Sequence, residues 1–178
     1  MTLSLILDVR TAGHRLPRQL HALQRLARHL AEPIELLATD NTGDARLPRL
    51  MQRYGARLLP CQGTPLGDRL NTAVARSQGS VLVFPAPDLR LPHHWLARAA
   101  ERIAHQQGDV MIFASRSLGP LDRLRRRLQG QPPTETLCVA RPWFERIGGF
   151  DPALDLDAVT NLLERLRACQ ARIERSPA

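Results

Sequence analysis

Lysine is absent from this chain: all 25 of its basic residues are arginine. Aromatic residues make up only 4%. That leaves few platforms on which bases could stack, and it counts against a single-stranded nucleic-acid binder. The three cysteines, Cys61, Cys138 and Cys169, are far apart and odd in number. They have neither metal-ligand spacing nor a disulfide framework. A reducing cytoplasm is the simplest setting, with each thiol a small buried hydrophobe. No apolar run approaches the roughly 18–20 residues of a membrane span. The start, MTLSLILDVR, has no basic segment ahead of its short apolar run, so no signal peptide is expected.

What is present fits one globular domain over residues 1–178, with 43% hydrophobic residues and a formal net charge of +8. Arginine's planar fork pairs bidentately with phosphate, so the charge suits anionic partners; it equally suits plain solubility. The densest cluster is Arg123, Arg125, Arg126 and Arg127. It could meet pyrophosphate or the headgroups of a membrane surface, or it could simply be a solvated face.

Strand-like and helix-like stretches alternate. Apolar runs at Leu3–Leu7, Ile34–Thr39, Ala56–Pro60, Val81–Phe84, Val110–Ala114 and Thr136–Ala140 read as strands. Helical periodicity covers Leu16–Leu30, Leu47–Tyr54, Leu66–Ser77, Pro92–Gln107 and Ala158–Ala171, with shorter pieces at Leu121–Leu128 and Pro142–Ile147. Gly55, Gly79, Gly108 and Gly148-Gly149 read as stops. The tail after Ile173 reads as frayed. Repeated βα units predict an α/β fold: a three-layer α/β/α sandwich around a mostly parallel sheet.

The stretch of most chemical interest is GSVLVFPAPDLRLPHHWL, residues 79–96. An apolar strand ends in Pro85-Ala86-Pro87, and Asp88 follows just before a helix. That puts a lone carboxylate at the carboxyl edge of the sheet, where open α/β sheets bind ligands.

Four stretches together resemble glycosyltransferase family 2, whose catalytic domain is the GT-A fold. IELLATDNTGD resembles its second strand and Asp-rich turn, and GDRLNTAVARSQGSVLVF resembles the helix leading into its fourth strand. FPAPDLRLPHHWL stands where the family has its metal-binding segment, and ARPWFERIGGFDP is similar to the family's RRxxFERxGGFD. The last match, at the right distance after the fourth strand, is the specific one. The likeness runs from about Ser4 to Ile173 and is nearest to small bacterial members of the arsenosugar-biosynthesis type.

The resemblance implies transfer of a sugar from a nucleotide diphosphate sugar to an acceptor, with Mg²⁺ or Mn²⁺ neutralising the leaving diphosphate. It implies the following roles. Asp88 matches the metal-touching last Asp of the family's DxD, while Ala86 occupies the first Asp position. Asp40 matches a residue that binds the nucleobase; an Asx-turn is the structural alternative. Asp8 and Thr11 stand in place of the family's Pro and Asn near the nucleotide. Arg69 and Asn71 match the helix beside it. For Arg69 the options are phosphate, Asp40 or, somewhat favoured, a solvated helix face. Asn71 could instead hold a backbone group. The acceptor base of the family lies in a Glu-Asp pair after GGF. Here that pair is replaced by Asp155 and Asp157, with Asp157 the better placed and a helix-capping role the alternative. Glu135 falls where small relatives carry Gly-Asp-Gln, and Trp143 is expected to pack in the core.

The degenerate motifs keep a second class open: a non-catalytic GT-A relative that binds a nucleotide, sugar or protein. A nucleotidyltransferase is a minor alternative, since Arg10–Arg15 lacks that fold's lysine and has only Gly13.

Overall fold

The computed structural model describes residues 1–61, 64–87, 91–114 and 135–177. Seven strands form one sheet: β1 (Leu3–Asp8), β2 (Ile34–Asp40), β3 (Arg57–Pro60), β4 (Val81–Phe84), β5 (Val110–Ala114), β6 (Glu135–Ala140) and β7 (Ile173–Pro177). Their order is β3-β2-β1-β4-β6-β5-β7. All pairs are parallel except the two made by β6, which runs antiparallel to β4 and β5. The helices are α1 (Val9–Ala12), α2 (Leu16–Ala27), α3 (Leu47–Tyr54), α4 (Leu66–Ala75), α5 (His93–Ala104), α6 (Arg141–Arg146) and α7 (Ala158–Ala168).

Side chains alternate across a strand, and each face of this sheet has its own core. Leu3, Leu5, Leu7, Ala38, Val81, Val83, Met111 and Phe113 meet α2, α3 and α5. Ile6, Leu37, Leu82, Phe84, Val110, Ile112, Leu137 and Val139 meet α4, α6 and α7. This is the three-layer α/β sandwich expected from the alternation of elements.

β4, β5 and α3 have the bounds read from the sequence. Gly55 ends α3 in the left-handed region at φ 64°. Other helix ends differ. α2 stops at Ala27 rather than Leu30, and α4 at Ala75 rather than Ser77. α5 begins at His93 and stops at Ala104, short of Gln107, and α7 stops at Ala168. Left-handed Gln106 (φ 56°) and Gln170 (φ 60°) follow these last two helices where no glycine is available. Gly79 is not the stop of α4 but a close-approach glycine. A Cβ there would lie 2.3 Å from Ser4 Oγ and 2.6 Å from Ser4 N. That crowding comes from a knot in which the Gly79 N–H donates to Ser4 Oγ and to Glu35 Oε1.

Residues 173–177 are not a frayed tail. They form β7, parallel to β5, with Met111 opposite Glu174 and Phe113 opposite Ser176. Arg172 secures the entry: its N–H, Nε and Nη2 all donate to Asp109, at 2.8, 3.0 and 2.8 Å. Those hydrogen bonds, with burial opposing them less strongly, hold the Asp109 carboxyl below its ordinary pKa. Cys61 and Cys138 are buried, whereas Cys169, also expected to be buried, is exposed. The segment Leu121–Leu128 and the arginine cluster lie outside the described residues, as does Asp88. Among the described residues no helix is long and apolar enough to cross a membrane.

Candidate functional site

β1, β2, β3 and β4 all end at one edge of the sheet, and antiparallel β6 begins there. Asp8 is the last residue of β1 and is 6% exposed. Its carboxylate accepts five hydrogen bonds. Thr11 N and Oγ1 reach Oδ2 at 2.9 and 2.7 Å, and Thr39 Oγ1 reaches Oδ1 at 2.9 Å. Arg69 closes a bidentate pair, Nε to Oδ1 at 2.7 Å and Nη2 to Oδ2 at 3.0 Å. A carboxylate has about four lone-pair directions, so Asp8 is saturated from within the fold. Burial pushes its carboxyl up, but the bonds from Arg69 and Thr11 outweigh this and leave it below its ordinary range.

Arg69 is therefore not on a solvated helix face and does not pair with Asp40. It is 1% exposed, bound to Asp8, with Nη1 donating to Thr64 O. Helical spacing contained the signal: Arg69 is three residues after Leu66 and four before Ala73, both on the buried face of α4. Arg10, by contrast, is exposed.

Beside this pair lies a narrow open cleft of about 40 Å³. Its walls include Asp8, Thr11, Gln19, Phe84, Pro87 and Glu135. Gln19, a residue the sequence reading missed, projects from α2. Its Nε2 donates to Ala86 O at 3.0 Å and, more weakly, to Pro85 O at 3.4 Å. Gln19 is 4% exposed, and its Oε1 is buried with no hydrogen-bond partner among the described residues. The clue to it was a polar side chain between Leu16, Leu20 and Leu23 on the apolar stripe of α2.

Asp40 ends β2 and is 7% exposed. Its Oδ1 accepts from Thr42 N and Thr42 Oγ1, both at 2.7 Å, which is the Asx-turn arrangement. Asn71 grips a distant backbone: its Nδ2 donates to Phe150 O at 2.8 Å, and Phe150 N donates to its Oδ1 at 2.9 Å. Phe150 in turn packs against Phe84 and Phe144, with ring centroids 4.9 and 5.3 Å apart. Asp155 Oδ1 accepts the N–H of Leu66 at 3.2 Å, satisfying a donor in the first turn of α4. Asp157 immediately precedes α7 but does not cap it through its side chain. Leu66, whose N–H Asp155 accepts, and Val159, two residues after Asp157, line the cleft, whereas Asp155 and Asp157 are not among its lining residues. Trp143 is half-buried, with the Arg146 guanidinium 5.2 Å over its ring.

Among the described residues the β4 end offers few carboxylates. Ala86 is buried, and its N–H donates to Thr136 Oγ1 at 3.1 Å. Glu135, at the start of β6, pairs with Arg175 at 3.2 Å. Among the described residues no three His, Cys, Asp or Glu side chains cluster as a metal cage. That still fits Mg²⁺, which is commonly held by one or two carboxylates plus substrate phosphates and water. It does not fit a cation held by protein groups alone.

This mostly parallel sheet, with helices on both faces and a cleft at the strand ends, is an α/β fold of the GT-A type, shared with solved glycosyltransferases. Solved structures bear this out. The mannosyltransferase PcManGT from Pyrobaculum calidifontis, in complex with GDP-Man and Mn²⁺, superposes with a TM-score of 0.68 at 17% identity, covering 98% of this chain and 54% of that one. TarS 1-349 from S. aureus, in complex with UDP-GlcNAc, gives 0.68 at 17%, covering 99% and 56%. Glucosyl-3-phosphoglycerate synthase from Mycobacterium tuberculosis, in complex with Mn²⁺, UDP and glucosyl-3-phosphoglycerate, gives 0.71 at 15%, covering 99% and 69%. The chain thus spans little more than half the length of the first two. No protein-family model matches it, and no curated protein matches it by sequence.

Proposed function

We propose that this protein is a glycosyltransferase of the family-2 kind, transferring a sugar from a nucleotide diphosphate sugar to an acceptor hydroxyl in the cytoplasm. The observation that carries this is the cleft at the carboxyl edge of a GT-A-type sheet, walled by the ends of β1 and β4 and by Glu135. In this reading Asp88, next along the chain from cleft-lining Pro87, holds a Mg²⁺ or Mn²⁺ ion together with diphosphate oxygens. Such an ion supplies positive charge against the leaving group. Asp40 meets the nucleobase through its Oδ2 edge, with Asn71 bordering the nucleotide. Asp8 and Arg69 shape the nucleotide wall through each other rather than by touching phosphate. Asp157 is assigned as the base, with Asp155 steadying the start of α4. Asp157 takes the acceptor proton as the acceptor oxygen bonds to the anomeric carbon and the bond to the diphosphate oxygen breaks. The short stretch between Gly108 and Gln131 suits a small acceptor.

The test is thermal melting with UDP-, GDP- and dTDP-sugars, each with and without Mn²⁺. Ligand at a hundred times its Kd stabilises by about 2.7 kcal/mol. One donor is expected to raise Tm by several degrees only when Mn²⁺ is present, and Asp88→Ala should abolish the rise. No shift with any donor would overturn the assignment. A shift without transfer or hydrolysis would make the protein a non-catalytic binder.

A further inference from the structure

The two helical layers use their arginines differently. In the layer of α4, α6 and α7, several bind groups of the protein itself. Arg69 is paired with Asp8, Arg141 Nε donates to Gly79 O at 2.6 Å, and Arg165 Nη1 and Nη2 donate to Ile147 O and Gly149 O at 2.8 and 2.6 Å. The layer on the other face of the sheet is α2, α3 and α5. The chain has no acidic residue between Asp8 and Glu32, and none between Asp44 and Asp68. α2 and α3 lie wholly inside these two stretches.

On α2, Leu16, Leu20 and Leu23 are buried, and Arg18, His21, Arg25 and the capping Arg28 recur every three or four residues on the opposite, exposed side. On α3, Leu47 and Met51 are buried while Arg49 and Arg53 are exposed. α2 packs against α3, and just past its far end the ring of His29 lies 5.2 Å from that of His93 at the start of α5. The outer sides of the three helices thus form one layer, to which α5 adds exposed Arg98. Asp44 is taken by Arg46 at 2.6 Å, and exposed Glu101 on α5 offsets one charge. Arg18, Arg25, Arg28, Arg49, Arg53 and Arg98 have no acidic partner among the described residues. Like charges three or four residues apart on a helix stand about 5–6 Å from one another and repel. That is inside the Debye length of about 8 Å at physiological salt, so they act as one positive field. The stripe runs about 15 Å from Arg18 to Arg28, and α3 sets a second row about 8–10 Å to its side. Such a patch is broad and shallow, unlike the single helix or ribbon that enters a nucleic-acid groove. No Phe, Tyr or Trp among the described residues is exposed, so bases find no stacking platform. The large apolar side chain exposed among them is Met1, outside the patch, so the contact is with headgroups and not by insertion.

We propose that the outer layer of α2, α3 and α5 is a docking face for an anionic phospholipid membrane, its guanidinium groups pairing with headgroup phosphates and carboxylates. The face has no residue in common with the lining of the cleft, so docking leaves that lining uncovered. It stands whether or not the cleft is a transferase site.

The test is co-sedimentation with vesicles of phosphatidylcholine, alone or with about one-third phosphatidylserine. The protein should bind the anionic vesicles only, and release them in about 1 M salt, where the Debye length is about 3 Å. An arginine at an anionic surface is worth about fivefold in partitioning, so Arg18→Gln with Arg25→Gln and Arg28→Gln should weaken binding about a hundredfold, and Arg49→Gln with Arg53→Gln about twenty-five-fold. Arg76→Gln with Arg146→Gln and Arg167→Gln removes as much charge as the first variant from exposed sites on the opposite layer, and should change binding by less than about threefold. Thermal melting checks the fold: relieved of its repulsion, the α2 variant should melt no lower than the wild type. An equal loss in the opposite-layer variant would make net charge the cause and overturn the face. So would no binding to anionic vesicles, binding that survives high salt, a lowered Tm in the α2 variant, or tighter binding to duplex DNA than to vesicles at matched phosphate.

Discussion

The carboxyl edge of the sheet divides into two unlike halves. At the β1–β2 end, Asp8 has five donors and Asp40 has two, all from within the fold. At the β4–β6 end, Ala86 is a buried alanine, Glu135 pairs with a partly exposed arginine, and the buried Gln19 Oε1 has no partner among the described residues. An acid at a strand end is therefore not a ligand site by position alone. What the two strand-end acids share is that their hydrogen-bonding capacity is spent inside the protein, while among the described residues a buried amide oxygen is left over at both ends, Asn41 Oδ1 beside Asp40 and Gln19 Oε1 beside the β4 end.

The sharpest way to break this contrast is to cut the Asp8–Arg69 pair. Removing one partner of a buried ion pair costs about 3–5 kcal/mol. Asp8→Asn and Arg69→Met should each lose that much stability in urea unfolding, and the double variant should lose much less than their sum. The pH dependence has a definite sign. The Asp8 carboxyl is held below its ordinary value of 3.8 when folded. Its contribution is fully present above that ordinary value and is lost as pH falls through the lowered one. The gap between wild type and Asp8→Asn should therefore be constant at neutral pH and narrow in strong acid; a gap that widened on acidification would refute the pairing.

A smaller effect is expected at Asn71. Asn71→Ala leaves the Phe150 N–H and C=O without partners, at about 1–3 kcal/mol. Near-neutral denaturant midpoints would show that the clasp is dispensable. Smallest should be Gln19→Leu. It removes the donor to Ala86 O but also the orphaned Oε1, so the two changes largely offset and stability should move by about 1 kcal/mol or less. If donor binding depends on the β4 end, the same variant should weaken the nucleotide-sugar Tm shift.

Much of the architecture was legible because burial follows period. β4 and β5 are unbroken apolar runs, and α3 pairs a strong apolar stripe with a glycine that ends it. β7 was not, because Ile173-Glu174-Arg175-Ser176 carries little apolar signal and is held by its register on β5 and by Asp109–Arg172. At the site, the Asx-turn at Asp40 could be read locally. For Arg69 the helical spacing pointed to the buried face, but not to the partner 61 residues away that makes a buried charge tolerable there.

The turn after α6 carries one more consequence. Asn71 grips Phe150, Gly67 N donates to Leu154 O at 2.9 Å, and Asp155 takes the Leu66 N–H. At Gly67 even a methyl group would collide with Asp151 O, at 2.0 Å. Mechanically, then, residues 150–155 are riveted to α4 and travel with it as one slab. Any opening or narrowing of the cleft has to be delivered by its opposite jaw.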